Sequence, residues 1–229
     1  MSGAMNFIIA GVGGQGIVLA AKLVARAAMA AGLQVRTSET IGMAQRGGSV
    51  VSHVRVSKLP IASPLVPPGR ADALLGFEPG EAVRCLSYLR PGGIIIANAH
   101  PVAPVSAALN QQSYRGEEML ARLGQCGARL VVVDGDALCA EVGSPQVLNV
   151  ALIGAAAGAG ALGFSVEQLE DAIRASVREK FIAMNIRALH AGANAGANAG
   201  ASAGASAGAN VSGSTSVTTV NHLGLQVAP

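Results

Sequence analysis

Four glycines in six residues, Gly11-Val12-Gly13-Gly14-Gln15-Gly16, separate a short apolar run (residues 6–10) from a stretch with helical spacing (residues 16–31). A chain that turns this sharply from a strand into a helix has few options. The strand must be buried, the helix must cover it, and glycine must supply backbone angles closed to other residues. The GxGxxG spacing also leaves amide N–H groups free beside a helix N-terminus, where the positive end of the helix dipole favours an anion. A tight packing turn without any ligand uses the same spacing. A dinucleotide site would need in addition an acid near the end of the second strand, to bind the ribose, and Glu39 falls about there.

The rest of the chain repeats the strand–helix order. Residues 33–38 read as a second strand and residues 39–48 as a polar, glycine-containing loop. Residues 49–56 alternate, with Val50, Ser52, Val54 and Val56 on one side and Ser49, Val51, His53 and Arg55 on the other. Four prolines make residues 59–69 a loop. Further strands are expected at 71–77, 93–97 and 129–133, with helices near 80–89 and 117–123. The fold class is therefore α/β: a doubly wound, mainly parallel sheet with a Rossmann-like glycine loop, followed by C-terminal helices. Residues 146–162 and 166–189 read as two helices joined at Gly163, the second capped by Ser165. From Ala191 to Asn210 a four-residue unit of the form AGAN or AGAS repeats five times. With no bulky side chain it has little apolar surface to bury, so residues 191–229 are expected to be a disordered tail, dispensable for chemistry.

Composition narrows the function classes. Aromatics make up only 3% of a chain that is 51% hydrophobic, so the core must be built from Val, Leu, Ile and Ala. Cys85, Cys126 and Cys139 form no CxxC pair, which excludes zinc-knuckle and iron–sulfur patterns and points to a reducing compartment. No metal ligands occur at a convincing spacing. No stretch is long and apolar enough to suggest a membrane span, and a cytoplasmic protein is expected. Residues 1–60 carry six basic groups against one acid, Glu39. That excess suits a small anionic ligand at the glycine loop and is too sparse for a nucleic-acid surface. Arg46, Gly47, Gly48 and Ser49 form a second basic, glycine-bearing loop, read as a second ligand or subunit-contact surface; a solvated loop is the bland alternative. No catalytic residue stands out: His53 has no nucleophile near it, and Asp134 and Asp136 flanking Gly135 read as a turn and helix cap.

The run GVGGQG, then Ser38-Glu39, GMAQRGGSV and Ser52-His53-Val54-Arg55, resembles the gamma-type subunits of 2-oxoacid:ferredoxin oxidoreductases. The branch it most resembles is the small (beta) subunit of indolepyruvate oxidoreductase. The likeness continues through Gly76-Phe77-Glu78-Pro79, Asn98, Asn149 and the region of Asn185, making residues 1–190 a gamma-type domain of the pyruvate/ketoisovalerate oxidoreductase kind. The resemblance implies a cytoplasmic hetero-oligomer in which thiamine diphosphate and the iron–sulfur clusters sit on a large partner subunit. This chain would be inactive alone and associated with the coenzyme A side of the reaction. An arylpyruvate would be decarboxylated to an arylacetyl-CoA, with two electrons passing to ferredoxin. The cofactor-binding positions expected from the two glycine loops and the ribose argument are Gly11, Gly13, Gly14, Gln15 and Gly16, with Glu39, Arg46, Gly47, Gly48 and Ser49. Three alternatives stay open: the same family acting on pyruvate, 2-oxoglutarate or a branched-chain oxoacid; a non-catalytic scaffold; and a freestanding NAD-dependent dehydrogenase. Titrating the isolated chain with NADH separates the last: the family reading predicts unchanged nucleotide fluorescence, the dehydrogenase an enhancement.

Overall fold

The computed structural model describes residues 4–41, 47–102, 114–207 and 218–220. Strand β1 (Met5–Val12) leads through the glycine loop into α1 (Ile17–Ala30). A hairpin of β2 (Gln34–Ile41) and β3 (Ser49–Ser57) follows, then β4 (Ala71–Gly76), the short α2 (Pro79–Arg84), a 3-10 turn at Leu86–Tyr88 and β5 (Leu89–Asn98). Helix α3 (Gly116–Gly124), β6 (Arg129–Val133) and α4 (Gly135–Val142) complete the alternating part. Three helices close the fold: α5 (Leu148–Gly158), α6 (Val166–Ser176) and α7 (Glu179–Ala207). A three-residue strand, β7 (Thr218–Val220), pairs parallel with β6.

The strand order is β2-β3-β1-β4-β5-β6-β7. Strands β1, β4, β5 and β6 are parallel, as expected. The sheet is mixed, however, because β3 lies antiparallel between β1 and β2, with Met5 opposite Val56 and Val12 opposite Ser49. The alternation of residues 49–56 is the imprint of that hairpin. Strand β2 also runs on to Ile41, so Glu39 sits within a strand instead of opening a loop. The tip of the hairpin, including Arg46, lies outside the described residues.

Helices cover both faces. Phe7, Ile9, Leu75, Phe77, Ile96 and Val131 join one core with α1, α4, α5, α6 and α7. Their sequence neighbours Ile8, Ala10, Leu74, Ile95 and Val132 join the other, with α2 and α3. This is the period of two expected of strands buried on both sides. His53 belongs to the second face. Its Nδ1 accepts the Val66 N–H at 3.2 Å, Tyr88 meets its ring edge-on, and burial lowers its pKa, so it is a neutral core residue.

The C-terminal helices depart from expectation. The stretch read as one helix over 166–189 is two, α6 and α7, parted at Val177 and Arg178. The Ser165 cap holds, completed by Gln168 into a capping box. More consequentially, the Ala/Gly repeat is not a disordered tail from residue 191. Helix α7 continues through it to Ala207, and Ala193 and Ala199 are buried. The physical reason lies in α5, which is buried on all sides from Asn149 to Ala156. A Cβ on Gly154 would collide with the Leu189 carbonyl, and one on Gly158 with that of Ala193. From the other helix, a Cβ on Gly192 or Gly196 would strike the carbonyl of Ala151 or Ala155. The two backbones therefore touch. Each interior glycine costs about 1 kcal/mol of helix propensity relative to alanine, and the dense dispersion contacts of a seam this close offset it. Gly158→Ala is expected to destabilise the chain by about 1–3 kcal/mol, since the helices must separate to admit the methyl group. Removing residues 191–229 should likewise lower the melting temperature; an unchanged midpoint in a thermal scan would show that the seam adds nothing.

Candidate functional site

Strand β1 exits into α1 on one face of the sheet, while its neighbour β4 exits into α2 on the other. The segments that leave the paired carboxyl ends of the two strands therefore diverge, and the crevice between such segments is where open α/β sheets bind ligands. The glycine loop forms one wall and Phe77 to Glu81 the other.

Within the loop the glycines have different tasks. Gly11 admits no side chain because Gln15 Oε1 and Phe77 Cβ stand 2.6 and 2.9 Å from where its Cβ would be. Gly14 (φ 107°) has nothing within 4 Å of that point and faces open space. Gly16 (φ 78°) starts α1 without a side-chain cap and touches Asn149, whose Nδ2 donates to the Gly16 carbonyl at 3.4 Å. The first turn of α1 holds no acid, so its N-terminal amides keep their positive potential. Gln15 staples the crevice. Its Oε1 accepts the Val12 N–H at 2.8 Å, and its Nε2 donates to the Phe77 carbonyl at 3.0 Å, tying one wall to the other.

The two glycine loops meet. Gly13 donates to the Gly48 carbonyl at 2.8 Å, and Gly47 donates to that of Gly13 at 3.3 Å. Ser49, next in line, donates its hydroxyl to Glu81 Oε2 at 2.6 Å. Glu39 is not part of this assembly. It pairs with Ser52, which pairs in turn with Ile9, so β3 occupies the place beside β1 where the ribose-binding acid of a dinucleotide fold would stand.

Several residues here escaped the sequence reading. Glu78 and Glu81 are 1% and 4% exposed, two buried carboxylates one turn apart. Glu78 caps α2 by accepting the Glu81 N–H, with Pro79 as the first helical residue. Tyr114 donates its phenol to Glu78 and accepts the Gly80 N–H; burial and then the Glu78 carboxylate push its pKa upward. The signal was Glu78-Pro79, an acid before a proline at a strand exit, which is a cap pattern. Asn98, fully buried at the end of β5, accepts the Gly135 N–H, and Asp134 caps α4 as expected. Nearby, His100 Nδ1 lies 3.4 and 3.5 Å from the carboxylates of Asp134 and Asp136. Among the described residues no group of His, Cys, Asp and Glu is placed to hold a metal, and no helix is long and apolar enough to cross a membrane. Burial pushes the Cys85 and Cys139 thiols up to about 11, while Cys126 is exposed.

Residues 6–195 match the family model described as pyruvate ferredoxin/flavodoxin oxidoreductase. The chain belongs to this family, as one of its gamma-type subunits. It is 37% identical over 191 residues to indolepyruvate oxidoreductase subunit IorB of Archaeoglobus fulgidus, covering 83% of this chain and 94% of that one. The subunit of the same name from Thermococcus kodakarensis is 39% identical, covering 82% and 93%. Among solved structures, 2-oxoglutarate:ferredoxin oxidoreductase from Magnetococcus marinus, with 2-oxoglutarate, coenzyme A and succinyl-CoA bound, shares the fold at a TM-score of 0.65 and 19% identity. That alignment covers 84% of this chain and 31% of the larger one.

Replacing Gln15 by Met, of similar shape, would strand the Val12 N–H and the Phe77 carbonyl. An unfolding free energy lower by about 1–3 kcal/mol in urea is the expected result; a neutral substitution would mean that the staple does not hold the crevice.

Proposed function

We infer that this chain is the small, gamma-type subunit of an indolepyruvate or related 2-oxoacid:ferredoxin oxidoreductase complex, acting on an oxo group with ferredoxin as electron acceptor. The 37–39% identity to IorB subunits over nearly their whole length carries this reading and favours arylpyruvates as substrates. Its partner is a large subunit bearing thiamine diphosphate and the iron–sulfur clusters. The three scattered cysteines of this chain offer no cluster a home.

The role left to this chain is to hold the acyl acceptor. Coenzyme A supplies the thiol that carries the acyl group away as a thioester. Its phosphates suit a crevice where an uncapped helix N-terminus, without an acid in its first turn, meets the open face of Gly14. The amides of Gly14 and Gly16 and the start of α1 would bind phosphate, with Gly47, Gly48, Ser49 and Arg46 closing the site from the hairpin. Gly11, Gly13 and Gln15 shape the loop from within. Glu39, on the outer strand, serves that hairpin only through the sheet. Orientation of one reactant relative to a fixed second one is a large catalytic contribution in its own right, and it requires no acid or base from this subunit.

The decisive experiment is reconstitution with the large subunit. Coenzyme A-dependent reduction of a viologen dye is followed with indolepyruvate, phenylpyruvate and pyruvate, with this chain present or omitted. Turnover of arylpyruvates only when both chains are present is the expected result. Preference for another oxoacid would keep the family and change the substrate. A stable complex indifferent to this chain would reduce it to a scaffold.

A further inference from the structure

Two buried carboxylates beside a loop suited to anions call for an explanation, and Glu78 has one as the cap of α2. Glu81 does not. Only 4% exposed, it lies within a six-residue helix, where an aliphatic side chain would be buried without cost. Among the described residues its cationic partner is Arg84, 3.6 Å away and mostly in solvent, a weak partner. The strong contact is the 2.6 Å hydrogen bond that its Oε2 accepts from Ser49. Ser49 is the first residue of β3, opposite Val12, and follows directly on Gly47 and Gly48, which exchange hydrogen bonds with Gly13. The contact therefore crosses the crevice, from α2 on one wall to the hairpin that closes the other.

We propose that Glu81 is a positioning residue, which anchors the root of the β2–β3 hairpin to α2 through Ser49 and so holds Gly47 and Gly48 on Gly13. This inference rests on the reading of the crevice as the coenzyme A site only for its kinetic consequence. The mechanical part stands on the contacts alone. Gln15 and Glu81 divide the work: Gln15 fastens the floor of the crevice to Phe77, and Glu81 fastens its side.

The test uses the assembled complex with Ser49→Ala, Ser49→Thr and Glu81→Gln, and the double variant Ser49→Ala/Glu81→Gln. Two readouts are taken: amide hydrogen exchange in the peptides containing Gly13 and Gly48, and the separate KM and kcat for coenzyme A. Exchange in both peptides should quicken about tenfold in Ser49→Ala, the scale expected when one local contact of a stable segment is lost. Ser49→Thr, which restores the hydroxyl, should return to the parental rate. The double variant should be no worse than the more affected single one, because the two residues act through one bond. The KM for coenzyme A should rise in parallel, with kcat changing less. Unchanged exchange in Ser49→Ala overturns the proposal, whatever the kinetics. A raised KM without faster exchange also overturns it, since the side chain would then be touching ligand. Faster exchange with an unmoved KM supports the anchor and removes coenzyme A from this crevice instead.

Discussion

The antiparallel pairing of β3 with β1 is the constraint on which the rest of this molecule depends. It puts a hairpin where a simple alternating fold would place a second parallel strand, and it does so in a register that sets Ser49 against Val12. Because the register is fixed, the turn before β3 must arrive at Gly13, and two glycine-bearing loops become one surface. The same pairing moves Glu39 out to the rim of the sheet. A dinucleotide crevice and this one thus begin with the same loop and differ in what the next strand brings beside it.

How much of this was legible depended on range. The glycine loop, the parallel strands and the caps at Ser165 and Asp134 were readable because each is written in a few neighbouring residues. The hairpin insertion was half visible: the alternation over residues 49–56 marked a strand, but nothing local said that it would run antiparallel between β1 and β2. Half of what Gln15 does was out of reach. A polar side chain inside a glycine loop looks like a ligand contact, and only the position of Phe77, 62 residues on, shows that its amide also bonds within the fold. Glu81 carried no signal at all, since its meaning comes from Ser49 across the crevice. The repeat after His190 looked like a tail because it has little to bury by itself. Its partner was the equally small-featured α5, and two surfaces without bulk fit each other where neither would fit a normal core.

The site follows the logic of a divided enzyme. Family membership places this chain in an oxidoreductase complex, while its crevice offers backbone amides, a helix terminus and shape. Such a surface discriminates by charge and geometry and can serve any reaction whose other half is performed elsewhere.

The seam between α5 and α7 has a property of its own. A four-residue unit on a helix of 3.6 residues per turn advances about 40° beyond a full turn at each repeat. Gly192 and Gly196 face α5. Within the seam, a slide of the helix by one unit would exchange each glycine for the next and leave the interdigitation nearly unchanged. By itself the repeat is thus a ruler without a zero mark. The mark lies just before the repeat, where Leu189 and Ala188 are fully buried in the shared core and His190 Nε2 stands 2.7 Å from Glu170 Oε1. A few residues at the near end of the repeat therefore fix the longitudinal register of a helix of 29 residues.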